Sequence, residues 1–404
     1  MEKELCKYFG VCGGCAYQGA DTFAQAKRKA EAAAKLLQPF YDAPIPLTQA
    51  PQIKYFRNKI ELSFCRQTLW TQPFGKKKIL RDKTKPLEFE SVLGFRLKGR
   101  WDRCINLEEC RLFDEKLPAF CAATRQWAAQ NGLAYYDARK HTGALRNIIL
   151  RKSQNTSQGL IVLVSAEPPS AQNAQSFVEA AQQIYPDFSV FCAVNDGASD
   201  GAPLKSLKLL KGKEFMEETL FIEGRKIIFE LAPQSFFQTN TAAANLMYEA
   251  VRAAVKKLAP QTMYDLYGGA GAFSLVCADL LKKSLCVESV QSAVLNGMQN
   301  ALRNNAANIQ FFCETTEDFL AKNKLSAHKT LVLLDPPRSG VAPKALEALL
   351  KSGAPNIFYV SCNPVTLAQN MQILAQKYKI TSAQCFDFFP YAQHIETFTQ
   401  MELK

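Results

Sequence analysis

From Ala232 onward short apolar runs alternate with helical stretches, and this alternation restricts the fold more than any other feature of the chain. The runs are Met263–Leu266, a strand ending at Val287, Thr330–Leu334 and Ile357–Val360, with a Gly-rich loop after the first and a helix from Phe273. Such short apolar strands need cover on both faces, which intervening helices supply when the strands run parallel. An α/β domain is expected over residues 231–404, with ligands gathered outside the carboxyl ends of its strands.

Residues 1–230 follow a different rhythm. Asp21 to Leu37 reads as a helix rich in Ala and Lys that stops near Pro39. From Lys54 to about Arg103 short alternating runs such as Lys59-Ile60-Glu61-Leu62-Ser63-Phe64 predict antiparallel sheet. A helix around Pro118 to Asn131, a strand over Gly159–Val164 and a late hairpin strand over Ile222–Glu230 complete an α+β region. No internal repeat or low-complexity stretch interrupts it. Met1 to Tyr8 is charged and leads into no long apolar stretch, and no run of about 18 apolar residues occurs, so a cytoplasmic protein is expected.

Forty-nine Lys and Arg against 37 Asp and Glu leave a net charge of +12. Such a surplus suits a polyanion, because neutralising phosphates releases condensed counterions, although it also describes a solvated surface and does not separate RNA from DNA. Thirteen cysteines in a reducing compartment are more often metal ligands or catalysts than disulfides, so their grouping matters more than their number.

Gly268-Gly269-Ala270-Gly271 follows a short strand and opens a helix, where glycines allow a tight turn and close approach to a ligand. Glu288, 17 residues after Gly271 at the next strand end, could hold ribose hydroxyls of a nicotinamide or another nucleoside cofactor. Asp335-Pro336-Pro337-Arg338 leaves a third strand stiffly. Cys362 follows a fourth, with Asn363-Pro364 enforcing a turn. A lone cysteine is usually an inert apolar group; one beside two other ligand-edge loops is a candidate nucleophile. Glu396, near the C-terminus, is a candidate base and equally a solvated strand residue.

Four motifs in order, Ser235-Phe236-Phe237-Gln238-Thr239-Asn240, Asp265-Leu266-Tyr267-Gly268-Gly269-Ala270-Gly271, Asp335-Pro336-Pro337-Arg338-Ser339-Gly340 and Ser361-Cys362-Asn363-Pro364, resemble those of the S-adenosylmethionine-dependent RNA uracil-5 methyltransferases. The resemblance spans almost the whole chain. It implies a C-terminal Rossmann-like methyltransferase domain and an N-terminal α+β region that carries a cluster and binds RNA. It further implies that Gln238, Tyr267, Glu288 and Asp335 contact S-adenosylmethionine. Cys362 would add to carbon 6 of uracil, creating an enolate whose carbon 5 takes the methyl group, and Glu396 would remove the carbon-5 proton. The target base would be flipped, because a thiol cannot reach the ring inside a stack. The chain departs from the family at Gly268, often Cys, at Ala272, often polar, and at Tyr391-Ala392, where a His-Thr pair is common.

Cys6, Cys12 and Cys15, spaced C-x5-C-x2-C, with Cys110 as fourth ligand, resemble the family's [4Fe–4S] site; four cysteines by themselves suit structural zinc as well. Presence of these cysteines, with no β-barrel module before them, resembles the shorter ribosomal RNA enzymes more than the bacterial transfer RNA type. Gly75-Lys76-Lys77-Lys78 and Arg96-Leu97-Lys98-Gly99-Arg100-Trp101-Asp102-Arg103 combine cations with an aromatic, as phosphate contact and base stacking require. Two rival readings are a nicotinamide-dependent oxidoreductase, which has no need of Cys362, and a non-catalytic RNA-binding factor, against which the pair Cys362 and Glu396 speaks.

Overall fold

The computed structural model describes residues 5–18, 21–69, 88–199, 204–325 and 329–404. The Lys76–Lys78 run lies outside them. Two compact units are formed, one from the described residues of Met1–Gly19 and Lys54–Met216, the other from those of Ala20–Ile53 and Glu217–Lys404.

The second unit begins with helix α1 (Thr22–Leu37) and strand β1 (Leu47–Gln49). Asp21 caps α1, its side chain accepting from the Phe23 N–H. This division differs from a boundary at residue 230. The reason is long-range packing: β1 adds to the C-terminal sheet, Leu37 is buried in that sheet's core, and Lys29 forms a buried ion pair with Asp387 at 2.5 Å. Local periodicity found the helix but carries no information about its partner.

In the first unit, β2 (Lys59–Thr68), β3 (Phe89–Gly94), α2 (Leu117–Gln130), β4 (Leu145–Lys152), β5 (Gly159–Ser165), α3 (Ala171–Gln182), β6 (Phe188–Val194) and β7 (Lys205–Lys211) follow in order. The strands form a sheet ordered β3-β2-β4-β5-β6-β7, antiparallel except for the β5/β6 pair that α3 connects. Apolar residues of β2, β4 and β5 pack with Phe120 and Trp127 of α2 and Phe177 of α3 into one core. Cys65 and Cys104 lie side by side, brought together from separate segments that meet only in the folded sheet.

The rest of the second unit starts with a hairpin, β8 (Met216–Ile222) and β9 (Arg225–Leu231), closed by Glu223 and Gly224, both at positive φ as a two-residue turn of this hand requires. Then come α4 (Thr241–Leu258), β10 (Thr262–Leu266), α5 (Ala272–Cys277), β11 (Lys283–Glu288), α6 (Gln291–Arg303), β12 (Ile309–Cys313), α7 (Thr316–Lys322), β13 (Thr330–Leu334), α8 (Pro343–Ser352), β14 (Asn356–Ser361), α9 (Pro364–Leu374), β15 (Tyr378–Asp387) and β16 (Glu396–Leu403). Their sheet runs β1-β15-β16-β14-β13-β10-β11-β12. β10 to β14 are mutually parallel where they pair, and β16 inserts antiparallel between β14 and β15. All five residues of β13 are buried, as in a strand covered on both faces. Strand order reverses at β10, the point of an open α/β sheet at whose carboxyl edge ligands are generally bound. No helix among the described residues is long and apolar enough to cross a membrane.

Candidate active site

Strand register sets the candidate residues side by side at the carboxyl ends of β11, β10, β13 and β14. Leu266 pairs with Val287 on one side and Leu334 on the other, so the next residues, Glu288, Tyr267 and Asp335, form one row. Ser361 pairs with Thr397, and one further step of that antiparallel register sets Cys362 opposite Glu396. Opposed residues of an antiparallel pair have Cα atoms only about 5 Å apart. Cys362 is half-buried, while Glu396 is only 3% exposed, which excludes the reading of a solvated strand residue.

The loop after β10 is shaped by glycine. Gly269 and Gly271 have φ of +56° and +74°, and Tyr267 between the strand and the loop is at +62°. The Gly268 N–H donates to the Val287 carbonyl, and Gly269 N–H donates to Glu288 Oε2 at 3.1 Å, tying the loop to the end of β11. A Cβ on Gly268 would lie 2.4 Å from Cys286 Sγ. Here, then, is the physical counterpart of the departure from the family's cysteine: the space beside the loop already holds a sulfur, supplied from β11. A Cβ on Gly269 would meet nothing within 4 Å, so the backbone faces open space there. Asp265, buried beneath the loop, accepts from Ser274 N–H at 3.1 Å and Ser274 Oγ at 2.7 Å, which anchors α5. Asp265 Oδ1 is buried without a hydrogen-bond partner among the described residues. Open backbone at Gly269 with the Glu288 carboxylate opposite leaves room for a ligand at this strand edge.

The loop after β13 is fastened to the one carrying Cys362. Asn363 Nδ2 and Thr366 Oγ1 both donate to the Arg338 carbonyl, at 3.1 and 3.3 Å, and Asn370 Oδ1 accepts from the Val341 N–H and from the Tyr359 hydroxyl. Arg338 thereby becomes a fixed neighbour of Cys362, a role its place in the motif did not reveal. Burial pushes the Cys362 thiol up to about 11, with the charges of Glu396 and Asp335 adding to the rise and Arg338 opposing it. Burial, with the charge of Asp335 adding and that of Arg338 opposing, raises the Glu396 carboxyl to about 8. Asp335 rises to about 7 by desolvation and the charge of Asp265. Three acidic groups that resist ionising together, with one cation among them, make a site poised to exchange protons.

Gln238 alone among the cofactor candidates is not set by that register; it lies between β9 and α4, two residues before the α4 cap Asn240. Asn240 Nδ2 donates to the Phe388 carbonyl at 2.8 Å, and Lys29 Nζ donates to the Phe389 carbonyl at 3.2 Å. These bonds hold the segment leading to Glu396, and they come from α1 and α4, too distant in sequence for motif spacing to expose.

In the first unit, Cys6, Cys12, Cys15 and Cys110 come into one neighbourhood. Burial, with smaller contributions from other thiols of the four, raises Cys110 to about 12 and Cys12 to about 11. Gly14 N–H donates to Cys12 Sγ and Leu112 N–H to Cys110 Sγ. Among the described residues no group of three or more His, Cys, Asp or Glu side chains is disposed to hold a metal ion.

A sheet reversing at a Gly-rich loop, with a carboxylate at the next strand end and an antiparallel last strand, is the architecture of the S-adenosylmethionine-dependent methyltransferases. A solved Pyrococcus abyssi tRNA (uracil-54, C5)-methyltransferase, in complex with S-adenosyl-L-homocysteine, superposes with a TM-score of 0.74 over 97% of this chain and 86% of its own, at 23% identity. The family described as tRNA (uracil-5-)-methyltransferase matches residues 203–403. An uncharacterized RNA methyltransferase of Clostridium tetani is 31% identical across 99% of this chain and 84% of its own length; one of Chlorobaculum tepidum is 32% identical across 97% and 81%. The chain belongs to the S-adenosylmethionine-dependent RNA uracil-5 methyltransferase family and is an RNA methyltransferase.

Proposed function

We propose that the protein methylates carbon 5 of a uracil in ribosomal RNA, with Cys362 as nucleophile and Glu396 as base. The observation that carries this reading is the opposition of Cys362 and Glu396 across β14 and β16, beside the Gly-rich loop. Cys362 first gives its thiol proton to solvent, and the thiolate sulfur bonds to carbon 6; the resulting enolate attacks the methyl of S-adenosylmethionine through carbon 5, releasing S-adenosylhomocysteine. Glu396 then takes the carbon-5 proton, the double bond re-forms and the thiolate departs. Glu288 holds the ribose, while Gln238, Tyr267 and Asp335 complete the pocket for the methyl donor.

Cys6, Cys12, Cys15 and Cys110 would hold a [4Fe–4S] cluster, a reading supported by their spacing and by backbone N–H bonds to the sulfurs of Cys12 and Cys110. When bound it would cross-link the N-terminal segment to the segment around Cys110. Iron and acid-labile sulfide in protein purified without oxygen would support it, and stoichiometric zinc would replace it. Transfer RNA is the second reading, favoured by the solved relative's own substrate. Incubation with radiolabelled S-adenosylmethionine and unmodified ribosomal or transfer RNA, followed by nucleoside analysis, tests both. Labelled 5-methyluridine in ribosomal RNA is expected; label in transfer RNA alone selects the second reading, and label on cytosine rejects the assignment of the base.

A further inference from the structure

Trp101 is the large side chain of the first unit whose exposure the core does not explain. It is 64% exposed, whereas Trp127 is 3% exposed within the core. It is also held still. Leu97 N–H donates to the Arg103 carbonyl and Arg100 N–H to that of Leu97, Gly99 turns the chain at a φ of +71°, and the Arg96 guanidinium donates to the Trp101 carbonyl. Below the turn, the Asp102 side chain is buried and accepts from both Arg100 Nε and Nη2, at 2.8 and 2.9 Å, and from Arg139 Nε and Nη2, at 2.8 and 2.5 Å. Paired forks of this kind fix geometry as well as charge. The cysteine segment braces the turn from behind, with Gly13 N–H donating to the Arg96 carbonyl and Lys98 N–H to that of Val11.

The same clamp joins the turn to residues that sequence places far away. Lys140, next to Arg139, lies over the ring of Phe89 with its Nζ 5.5 Å from the centroid, and Arg66 lies over that ring at 5.2 Å. Arg103 donates to the carbonyl and hydroxyl of Thr68, which pairs with Phe89. Phe89, Arg66, Lys98, Arg100, Arg139 and Lys140 are all exposed. One carboxylate, Asp102, offsets only one of the two guanidiniums it binds. Burial lowers the Arg103 guanidinium, and the charges of Arg100 and Arg139 lower it further, against the attraction of Asp102 and Glu90. The exposed cations Arg66 and Lys140 lie over the exposed Phe89 ring, beside the two guanidiniums that share Asp102.

We propose that this surface, centred on Trp101 and edged by Arg100, Arg139, Lys140 and Phe89, binds an unpaired RNA strand, a base stacking on the indole while phosphates lie against the cations. It rests on RNA being the substrate class and adds a place and a form: single strands expose π-faces for stacking, and a duplex hides them. A turn whose backbone is already fixed by these bonds loses little backbone entropy on binding.

The test uses the full chain and two RNAs of equal length, a uridine-rich single strand and a blunt duplex. Affinities are measured for wild type, Trp101→Ala, Trp101→Phe and Arg139→Ala, with S-adenosylhomocysteine affinity as the measure of an intact fold. Trp101→Ala should weaken the single strand by about tenfold and the duplex little, with Trp101→Phe retaining most of the affinity. Arg139→Ala should reduce the salt slope by about one. Unchanged single-strand affinity in Trp101→Ala, or equal losses on strand and duplex, overturns the proposal. Capture of a protein partner lost in Trp101→Ala, with RNA affinity unaltered, overturns it likewise. If strand binding depends on Trp101 while wild type methylates no RNA, the surface stands and the proposed reaction fails.

Discussion

The carboxyl edge of the second unit's sheet and the cysteine segment of the first are both candidate sites, yet they are assembled in opposite ways. At the sheet edge each residue is the next one after a buried strand, and register alone aligns Glu288, Tyr267, Asp335, Cys362 and Glu396. Around Cys6, Cys12, Cys15 and Cys110 no strand pair fixes spacing; an isolated bridge between Cys12 and Leu97 and a few turn bonds do the work. A site aligned by register should survive the loss of one side chain with its geometry intact. One drawn together by irregular loops depends on its cross-links.

The sharpest break is at the nucleophile. Cys362→Ala should lower methyl transfer on the order of 10^4-fold or more, because the covalent route is removed entirely. S-adenosylhomocysteine affinity and melting temperature should stay near wild type, since the side chain is half-buried at a strand end; both are read by calorimetry. Glu396→Gln should cut turnover by about 10^2- to 10^4-fold. It should also leave a protein–RNA adduct that survives denaturing electrophoresis, because carbon 5 is methylated but the thiolate cannot leave. Wild-type activity should fall with acidity below about 8, where Glu396 takes up a proton, rather than in the ordinary carboxyl range. Stability moves the other way. A carboxyl raised from 4.5 to about 8 makes the folded chain bind the extra proton, so its contribution is full below 4.5 and is lost as pH rises through 8. Melting temperatures of wild type and Glu396→Gln across that window check the sign.

What was legible in the sequence follows the same contrast. Strands β10, β11, β13 and β14 and the residues that end them could be read because apolar runs, glycines and prolines are local signals. Membership of α1 and β1 in the second unit could not, since it rests on Lys29 meeting Asp387 and on β1 pairing with β15, more than 300 positions away in sequence. The approach of Cys65 to Cys104 was hidden for the same reason. Arg338 stood in a recognised motif, yet its part became visible only when its carbonyl was found bonded to Asn363 and Thr366.

Lys29→Met probes that non-local link. It leaves Asp387 buried without its cation and should cost about 3–5 kcal/mol of stability, measured by urea unfolding. A loss below about 1 kcal/mol would mean that α1 is not integral to the second unit. Cys110→Ser addresses the other region. If thiols held together by a cluster keep the irregular segment in place, the variant should lose iron and melt several degrees lower while S-adenosylhomocysteine affinity is unchanged. Unaltered melting would remove the proposed cross-link.

The finest test exchanges a sulfur within the register-built site. A Cβ at Gly268 would come 2.4 Å from Cys286 Sγ and 3.0 Å from the Asp265 carbonyl, so Gly268→Cys forces the loop away from β11. Overpacking of this size costs about 1–3 kcal/mol, which should appear as a tenfold or greater loss of S-adenosylhomocysteine affinity, because the displaced loop carries Gly269, whose N–H binds Glu288. Cys286→Ala alone opens a small buried void and should change affinity little. Combined, the two substitutions move the sulfur from strand to loop, where relatives often have it, and affinity should recover most of the loss of the single change. If it does not recover, the carbonyl of Asp265 sets the limit at Gly268, and the glycine is required by the backbone rather than by its neighbouring thiol.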